Sequence, residues 1–417
     1  MSLLIRGARL IDGTGVEPVE DAAVLVDDGA IASVGPSTQV AAPPAAEVIE
    51  AGGLTIMPGL IDAHVHLRTP AGQERLAYEV KTSSELKAFY AADNARRALE
   101  AGFTTLRDAG SGPEVLAARQ AVDLGLVIGP RILTAGMVTM TAGHADPAMG
   151  RPGWPVRPED TADGVDEVRK RVRQHVRSGH DWIKICTSGG VLSAGDESWW
   201  RNYTPDEVRA ITDEAHALGR RVASHAHGRE GILNAIQCGV DTIEHGIYLD
   251  DEILELMVAK RLFLIPTMTI GRAFQERAQE AGLSEEAVRK GNAVMEVVMT
   301  NMARAHRAGV RMALGTDCSG SLAPMGENAW ELPLMVEIGM TPMEAILAAT
   351  RDAAEAIGLG QATGTLEPGK QADLILVDGD PLEDISVLRE RERIKLVLRQ
   401  GRILVDRRQG QLQRALG

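Results

Sequence analysis

From about residue 58 to 362, short apolar strand-like runs alternate with longer helix-like segments, and this alternation restricts the fold more than any other feature. The eight strand candidates are Leu60 to Val65, Thr104 to Arg107, Arg131 to Ala135, Trp182 to Cys186, Val222 to His225, Thr242 to His245, Leu262 to Pro266 and Arg311 to Gly315. Helical stretches separate many of them, including Glu85 to Ala101, Asp163 to Ser178 and Pro205 to Leu218. The last is opened by Thr204 with Glu207 three residues on, the pattern of a capping box. Alternation of this kind predicts an α/β chain with a parallel sheet. Eight units over this length suit a closed (β/α)8 TIM-like barrel better than an open sheet.

The two ends have a different texture. Leu3 to Ile11, Ala23 to Val26, Ile31 to Val34 and Val48 to Ile49 are short β-rich runs, with Asp28-Gly29 as a hairpin turn. Residues 373–377, Ile394 to Leu398 and Ile403 to Val405, turning at Gln400-Gly401, repeat it near the other terminus. Neither set has enough strands to bury a core alone. The expected organisation is therefore a composite β-sandwich from 1–57 plus 363–417, beside a barrel of 58–362.

Within the barrel the polar residues fall at the strand ends where barrel active sites are built. His64 and His66 close the first strand, and residues two apart on a strand project from one face. Two parallel imidazoles are half of a metal site, although an isolated pair also fits two hydrogen-bonded strand-end histidines. Lys184 interrupts the apolar run Trp182 to Cys186, either for a task of its amine or by reaching out to solvent. His225 ends the fifth strand and fits a ligand or a satisfied core histidine. His245 ends the sixth and fits a ligand or a partner of Glu244 or a carbonyl. Asp317 follows the eighth and fits a ligand or a cap on Ser319 or Gly320. Taken together, six metal-competent residues at the same ends of five strands point to a metal centre.

Composition removes other classes. A chain of 417 residues with a formal charge of −14 lacks the basic excess of a nucleic-acid-binding surface. Three cysteines, Cys186, Cys238 and Cys318, suggest a reducing compartment rather than a disulfide framework. No leader is read in Met1 to Gly7, and no apolar run is long enough for a membrane span, so a cytoplasmic protein is expected. The expected partner is a small-molecule substrate, with no nucleic acid and no membrane, and a homo-oligomer is expected.

Three further stretches carry a resemblance: Met57-Pro58-Gly59-Leu60-Ile61-Asp62-Ala63-His64, Ala101-Gly102-Phe103-Thr104-Thr105-Leu106-Arg107-Asp108, and Gly369-Lys370-Gln371-Ala372-Asp373-Leu374. With the six residues above, nearly the whole chain resembles the amidohydrolase superfamily, in the branch of imidazolonepropionase-like proteins and Xaa-Pro or Xaa-Arg dipeptidases. The resemblance implies two divalent metal ions, most often zinc. One would take His64, His66 and Asp317, the other His225 and His245, with Lys184 bridging them as a carbamate formed with carbon dioxide. It implies a hydroxide held between the metals as nucleophile, with Asp317 as the catalytic residue that passes its proton to the leaving amine.

Expected substrate contacts are His144 in the loop after the third strand, His227 and Arg229 after the fifth, and Tyr248 after the sixth. Asp108 is expected to support a strand end. Prolidase-like relatives often place a tyrosine where His227 stands, a departure that argues against an Xaa-Pro preference. The leading expectation is hydrolysis of a dipeptide or N-acyl amino acid. A cyclic amide, a lactone or a xenobiotic amide, carbamate or ester would use the same metal chemistry. Deaminases of the superfamily generally lack the lysine and carry a glutamate a few residues after the fifth-strand histidine. Here Lys184 is present and Glu230 lies five residues after His225, so deamination ranks lower. A non-catalytic scaffold would be expected to lose ligands, and none is lost.

Overall fold

In the computed structural model, residues 2–69, 78, 81–150, 153–157, 161–409 and 412–414 are described. The chain begins with strands β1 (Leu3–Leu10), β2 (Val19–Asp27), β3 (Ala30–Pro36), β4 (Glu47–Glu50) and β5 (Thr55–Pro58). Asp28 and Gly29 both take positive φ, 46° and 79°, the geometry that lets a two-residue turn follow the twist of its strands.

The next eight strands are β6 (Leu60–Val65), β7 (Phe103–Ser111), β8 (Arg131–Met137), β9 (Trp182–Cys186), β10 (Arg221–Ala226), β11 (Thr242–His245), β12 (Phe263–Ile265) and β13 (Arg311–Met312). They pair in chain order as one parallel sheet. Its two ends also meet. The Ala63 N–H donates to the Leu314 carbonyl at 2.9 Å, Asp317 N–H to His64 at 2.7 Å, and His66 N–H to Cys318 at 3.0 Å. The last strand is shorter than its apolar run because residues beyond Met312 make these bonds to β6 instead of a regular ladder. Helices follow most strands, among them Ser84–Glu100, Gly164–Ser178 and Pro205–Ala217. The capping box at Thr204 and Glu207 is present, and Thr341 with Glu344 forms a second.

Four further strands, β14 (Leu374–Val377), β15 (Ile394–Arg399), β16 (Arg402–Asp406) and β17 (Gln413–Arg414), join β1 to β5 in one nine-stranded sheet. The join is β14 antiparallel to β5, with Ile375 opposite Met57. The hairpin tips also touch: a Cβ on Gly401 would come within 2.9 Å of the Gly29 Cα. One apolar cluster lies around the parallel sheet and its helices. A second, including Ile5, Val24, Ile56, Leu374 and Leu396, fills a face of the terminal sheet.

Candidate metal centre

On β6, Asp62 and His64 alternate onto one face, and His66 follows just past the strand. Asp62 is fully buried and locks the end of the first strand to the loop after the eighth. It accepts from the Thr316 hydroxyl at 2.6 Å, the Asn328 amide at 2.8 Å and the His64 N–H at 3.0 Å. Burial pushes its carboxyl up to about 6 in spite of these donors. His64 sits in a matching buried frame. Its Nδ1–H donates to Glu244 at 2.6 Å, and Arg107 donates to both oxygens of the same carboxylate at 2.8 and 2.9 Å. The Thr242 hydroxyl donates to Glu244 as well. Arg107 also donates to the Ala63 carbonyl at 2.6 Å, so the frame grips the β6 backbone. Burial opposes ionisation of Glu244, yet Arg107 and His64 hold its carboxyl well below the usual range.

Three strand ends solve a geometric problem in the same way. Thr242 and Glu244 share one face of β11, so His245 would point to the other if the strand ran on. Instead His245, Thr267 and Asp317 take left-handed φ of 70°, 50° and 56°. Such a conformation costs a residue with a Cβ about 1–2 kcal/mol, and it clusters where function demands an unusual direction. His245 Nδ1 and the Thr267 hydroxyl hydrogen-bond at 2.7 Å, and the His225 Nε2–H donates to the Gly189 carbonyl at 3.1 Å. The alternatives in which Glu244 pairs with His245, or Asp317 caps its own loop, are replaced by these contacts.

One ligand atom each from His64, His245 and Asp317 lies within 4.8 Å of the others. His66 joins through Nε2, 3.2 Å from Asp317 Oδ1, and its ring meets His64 edge-on at 5.4 Å. His225 meets His245 at 4.6 Å between ring centres. Lys184 is buried on β9, and burial pushes its amine down toward the neutral form. The donor set suits divalent metal. Burial pushes His64 down to about 4 and holds His225 and His245 well below the ordinary imidazole value, so each is neutral at pH 7. Each also has one nitrogen committed to a fixed protein oxygen, the arrangement that orients metal-ligating histidines. Burial works against ionisation of Asp317, but the hydrogen bond from His66 and the neighbouring charges hold its carboxyl at about 2.

The expected substrate contacts divide. His144 stacks on His225 with 4.3 Å between centres, and buried His227 meets His225 edge-on at 4.5 Å with its Nδ1 lacking a partner. The Tyr248 N–H binds the His227 carbonyl at 3.0 Å, which fixes its backbone beside the cluster. Arg229 is turned elsewhere, half-exposed and paired with Asp250 and Glu252, so the expected carboxylate clamp is not formed by this residue. Asp108 supports the strand end as expected, accepting from Leu67 N–H at 2.7 Å. Asp62, Arg107 and Thr267 have no role assigned from the sequence, and Glu244, expected at most as a partner of His245, pairs with His64 instead. Period-two alternation could have found Asp62 beside His64; nothing local could have paired Thr267 with His245.

Residues 55–404 match the model described as Amidohydrolase family, well over half of the chain. This chain belongs to the amidohydrolase family. The amidohydrolase is 36% identical to an ochratoxinase from Aspergillus niger, over 96% of its own length and 86% of the relative's. It is 27% identical to an imidazolonepropionase from Geobacillus thermodenitrificans, over 93% and 91% of the two chains. The crystal structure of a Xaa-Pro dipeptidase with methionine bound in the active site matches the amidohydrolase with a TM-score of 0.90 and 34% identity, covering 97% of this chain and 99% of that one. The family and these relatives make the amidohydrolase an enzyme acting on small molecules. Among its described residues no helix is long and apolar enough to cross a membrane.

Proposed function

We propose that this amidohydrolase cleaves the amide bond of a dipeptide or N-acyl amino acid at a centre of two divalent metal ions, zinc in the simplest case. The barrel comprises residues 58–362 and closes through the bonds between β6 and residues 314–318. Residues 1–57 and 363–417 are assigned to the flanking β-domain, whose described strands form one nine-stranded sheet rather than the two stacked layers of a sandwich. His64, His66 and Asp317 would hold one ion and His225 and His245 the other. Lys184 would serve both as a carbamate, formed when its neutral amine adds to carbon dioxide and releases a proton. The observation that carries the reading is the set of committed second nitrogens on His64, His225 and His245.

Bound metals supply Lewis acidity to the substrate carbonyl and a water that is acidic at neutral pH. The remaining work falls to the chain. Glu244, backed by Arg107, and the Gly189 carbonyl hold His64 and His225 in one tautomer each, and Thr267 holds the His245 ring in place, which lowers the reorganisation needed during reaction. Asp317 takes up the proton released on addition of water and returns it to the departing amine. His144 and His227 contact the substrate, and Tyr248 flanks it; the exposed pairing of Arg229 argues against a part for that residue.

The test is turnover of a library of dipeptides and N-acyl amino acids by zinc-loaded protein, before and after chelation. Cleavage of at least one member, lost on chelation and restored by zinc with bicarbonate, is expected. No cleavage of any member would overturn the proposed substrate class. The 36% identity to an ochratoxinase favours a second reading, a xenobiotic amide or ester, and aryl amides in the same library test it.

A further inference from the structure

Beside the candidate metal centre, three segments from the ends of different strands meet in a polar cluster that the proposed chemistry leaves unexplained. Lys290, on the helix Glu285–Met295 in the connection from β12 to β13, and Asp196, in the loop after β9, are each 1% exposed. The Lys290 ammonium spends its three N–H groups on Asp196 Oδ1 at 2.9 Å, the Asp196 carbonyl at 3.0 Å and the Ser193 carbonyl at 2.5 Å, with Glu286 3.5 Å away. Asp196 Oδ2 accepts from the Gly190 N–H at 2.9 Å, and Oδ1 accepts from the Ser193 hydroxyl at 2.6 Å. His144, from the loop after β8, places Nδ1 at 2.9 Å from the Ser193 oxygen and 3.6 Å from Asp196.

The direction of these bonds is fixed. Ser193 gives its only proton to Asp196, so it must accept at its oxygen, and His144 donates to it through Nδ1–H. Nε2 is left bare, with no hydrogen-bond partner among the described residues. The ring has little freedom to turn. It stacks on His225 at an interplanar angle of 14°, and its other side lies so close to Gly190 that a Cβ there would overlap the imidazole.

We infer that Lys290 and Asp196 are positioning residues that hold His144 in its Nδ1–H tautomer, with Nε2 presented to the substrate as a hydrogen-bond acceptor. The acceptor fits an N–H or O–H donor beside the reacting carbonyl. Lys290 pins the Asp196 carboxylate and the Ser193 and Asp196 carbonyls in place, and Asp196 in turn keeps the Ser193 proton pointing away from His144. This inference rests on the substrate role proposed for His144, so the test reads the tautomer and the activity separately.

Nitrogen-15 spectra of histidine-labelled, zinc-loaded protein read the tautomer without substrate, with His144→Ala identifying the resonances. The wild type is expected to carry the proton on Nδ1, and Asp196→Asn and Ser193→Ala to shift His144 toward the Nε2–H form at unchanged metal content. An Nε2–H ring in the wild type, or an unchanged spectrum in both variants, would overturn the inference. On the best-cleaved amide of the library, Asp196→Asn is expected to lower kcat about 10²-fold, the loss typical of a misplaced reacting group. In the His144→Ala background it should cost less than about twofold. A full loss in that background would make the pair a structural prop and contradict positioning. If no amide is cleaved, the functional reading fails while the spectra still decide this one.

Discussion

At the scale of single residues, the centre is held by groups that touch no substrate. Glu244 has the strongest grip, since it faces His64 and Arg107 together in full burial. Glu244→Gln is expected to weaken divalent-metal affinity about 10- to 100-fold, measured by competition with a chromophoric chelator. Unchanged affinity would remove Glu244 from the frame. Gly315 offers a steric counterpart, because a Cβ there would stand 2.2 Å from Ile265 Cγ2, 2.9 Å from His64 Cβ and 3.1 Å from the His64 backbone nitrogen. Gly315→Ala should displace β6 and lower metal content in the purified protein; full content would contradict that crowding. The residues that announce themselves in sequence, His64, His66, His225, His245 and Asp317, stand at strand ends where alternation and position can be read. Lys290 and Asp196 could not be matched in that way, because their partnership exists only once the connection from β12 to β13 lies over the loop after β9. Arg229 misled for the opposite reason: its position in the chain suited a carboxylate, but Asp250 and Glu252 were nearer.

At the scale of elements, the site and the helices compete for the same groups. Thr267 precedes the helix Met268–Arg277 and would ordinarily cap it, but its hydroxyl is hydrogen-bonded to His245 instead. Glu331, from the helix Glu331–Glu337, supplies the cap instead, accepting from the N–H groups of Met268 and Thr269 at 2.8 and 2.7 Å and from the Thr269 hydroxyl at 2.6 Å. Burial pushes the Glu331 carboxyl up to about 8 in spite of these donors. The folded state therefore binds its proton more tightly than the unfolded chain does. The stability this contributes is complete below the ordinary glutamate value and is lost as pH rises through about 8. The unfolding free energy of wild type relative to Glu331→Gln should fall, by an amount on the order of a few kcal/mol, as pH is raised across this window. A difference independent of pH would contradict the shift. By contrast, Thr204 caps its own helix, and Thr204→Ala is expected to cost about 1 kcal/mol in urea unfolding at any neutral pH. That cap was legible because both partners lie within four residues. Strand β5 was less so: it is missing from the strand candidates because Pro58 ends one sheet and, after Gly59 alone, Leu60 starts the next.

At the scale of the whole molecule, the two sheets are tied by a polar contact. Arg131 on β8 donates to Asp373 at 2.8 Å, and Asp373 also accepts from the Gln400 N–H at 2.7 Å beside the hairpin that touches Gly29. Asp373 is fully buried at its side chain, so Asp373→Ala removes the carboxylate facing Arg131, which keeps its bonds to Thr105 and Gln371, and should cost about 1.5–3 kcal/mol. Calorimetry checks this, and an unchanged transition would mean that the sheets do not depend on the tie. The parallel order of eight strands and the joining of both termini were readable from the alternation and from two strand-poor ends. The long three-helix connection between β12 and β13 was not, since its helices pack on one another and on the helix Glu331–Glu337 rather than continue the alternation. The account turns on Lys184, whose buried amine is asked to bind two ions at once. Metal analysis of wild type and Lys184→Ala, grown with zinc and bicarbonate, tests it most directly. The account predicts two ions per chain in the wild type, loss of most metal and activity in the variant, and partial recovery with a short carboxylic acid. Two ions and full activity in Lys184→Ala would contradict it.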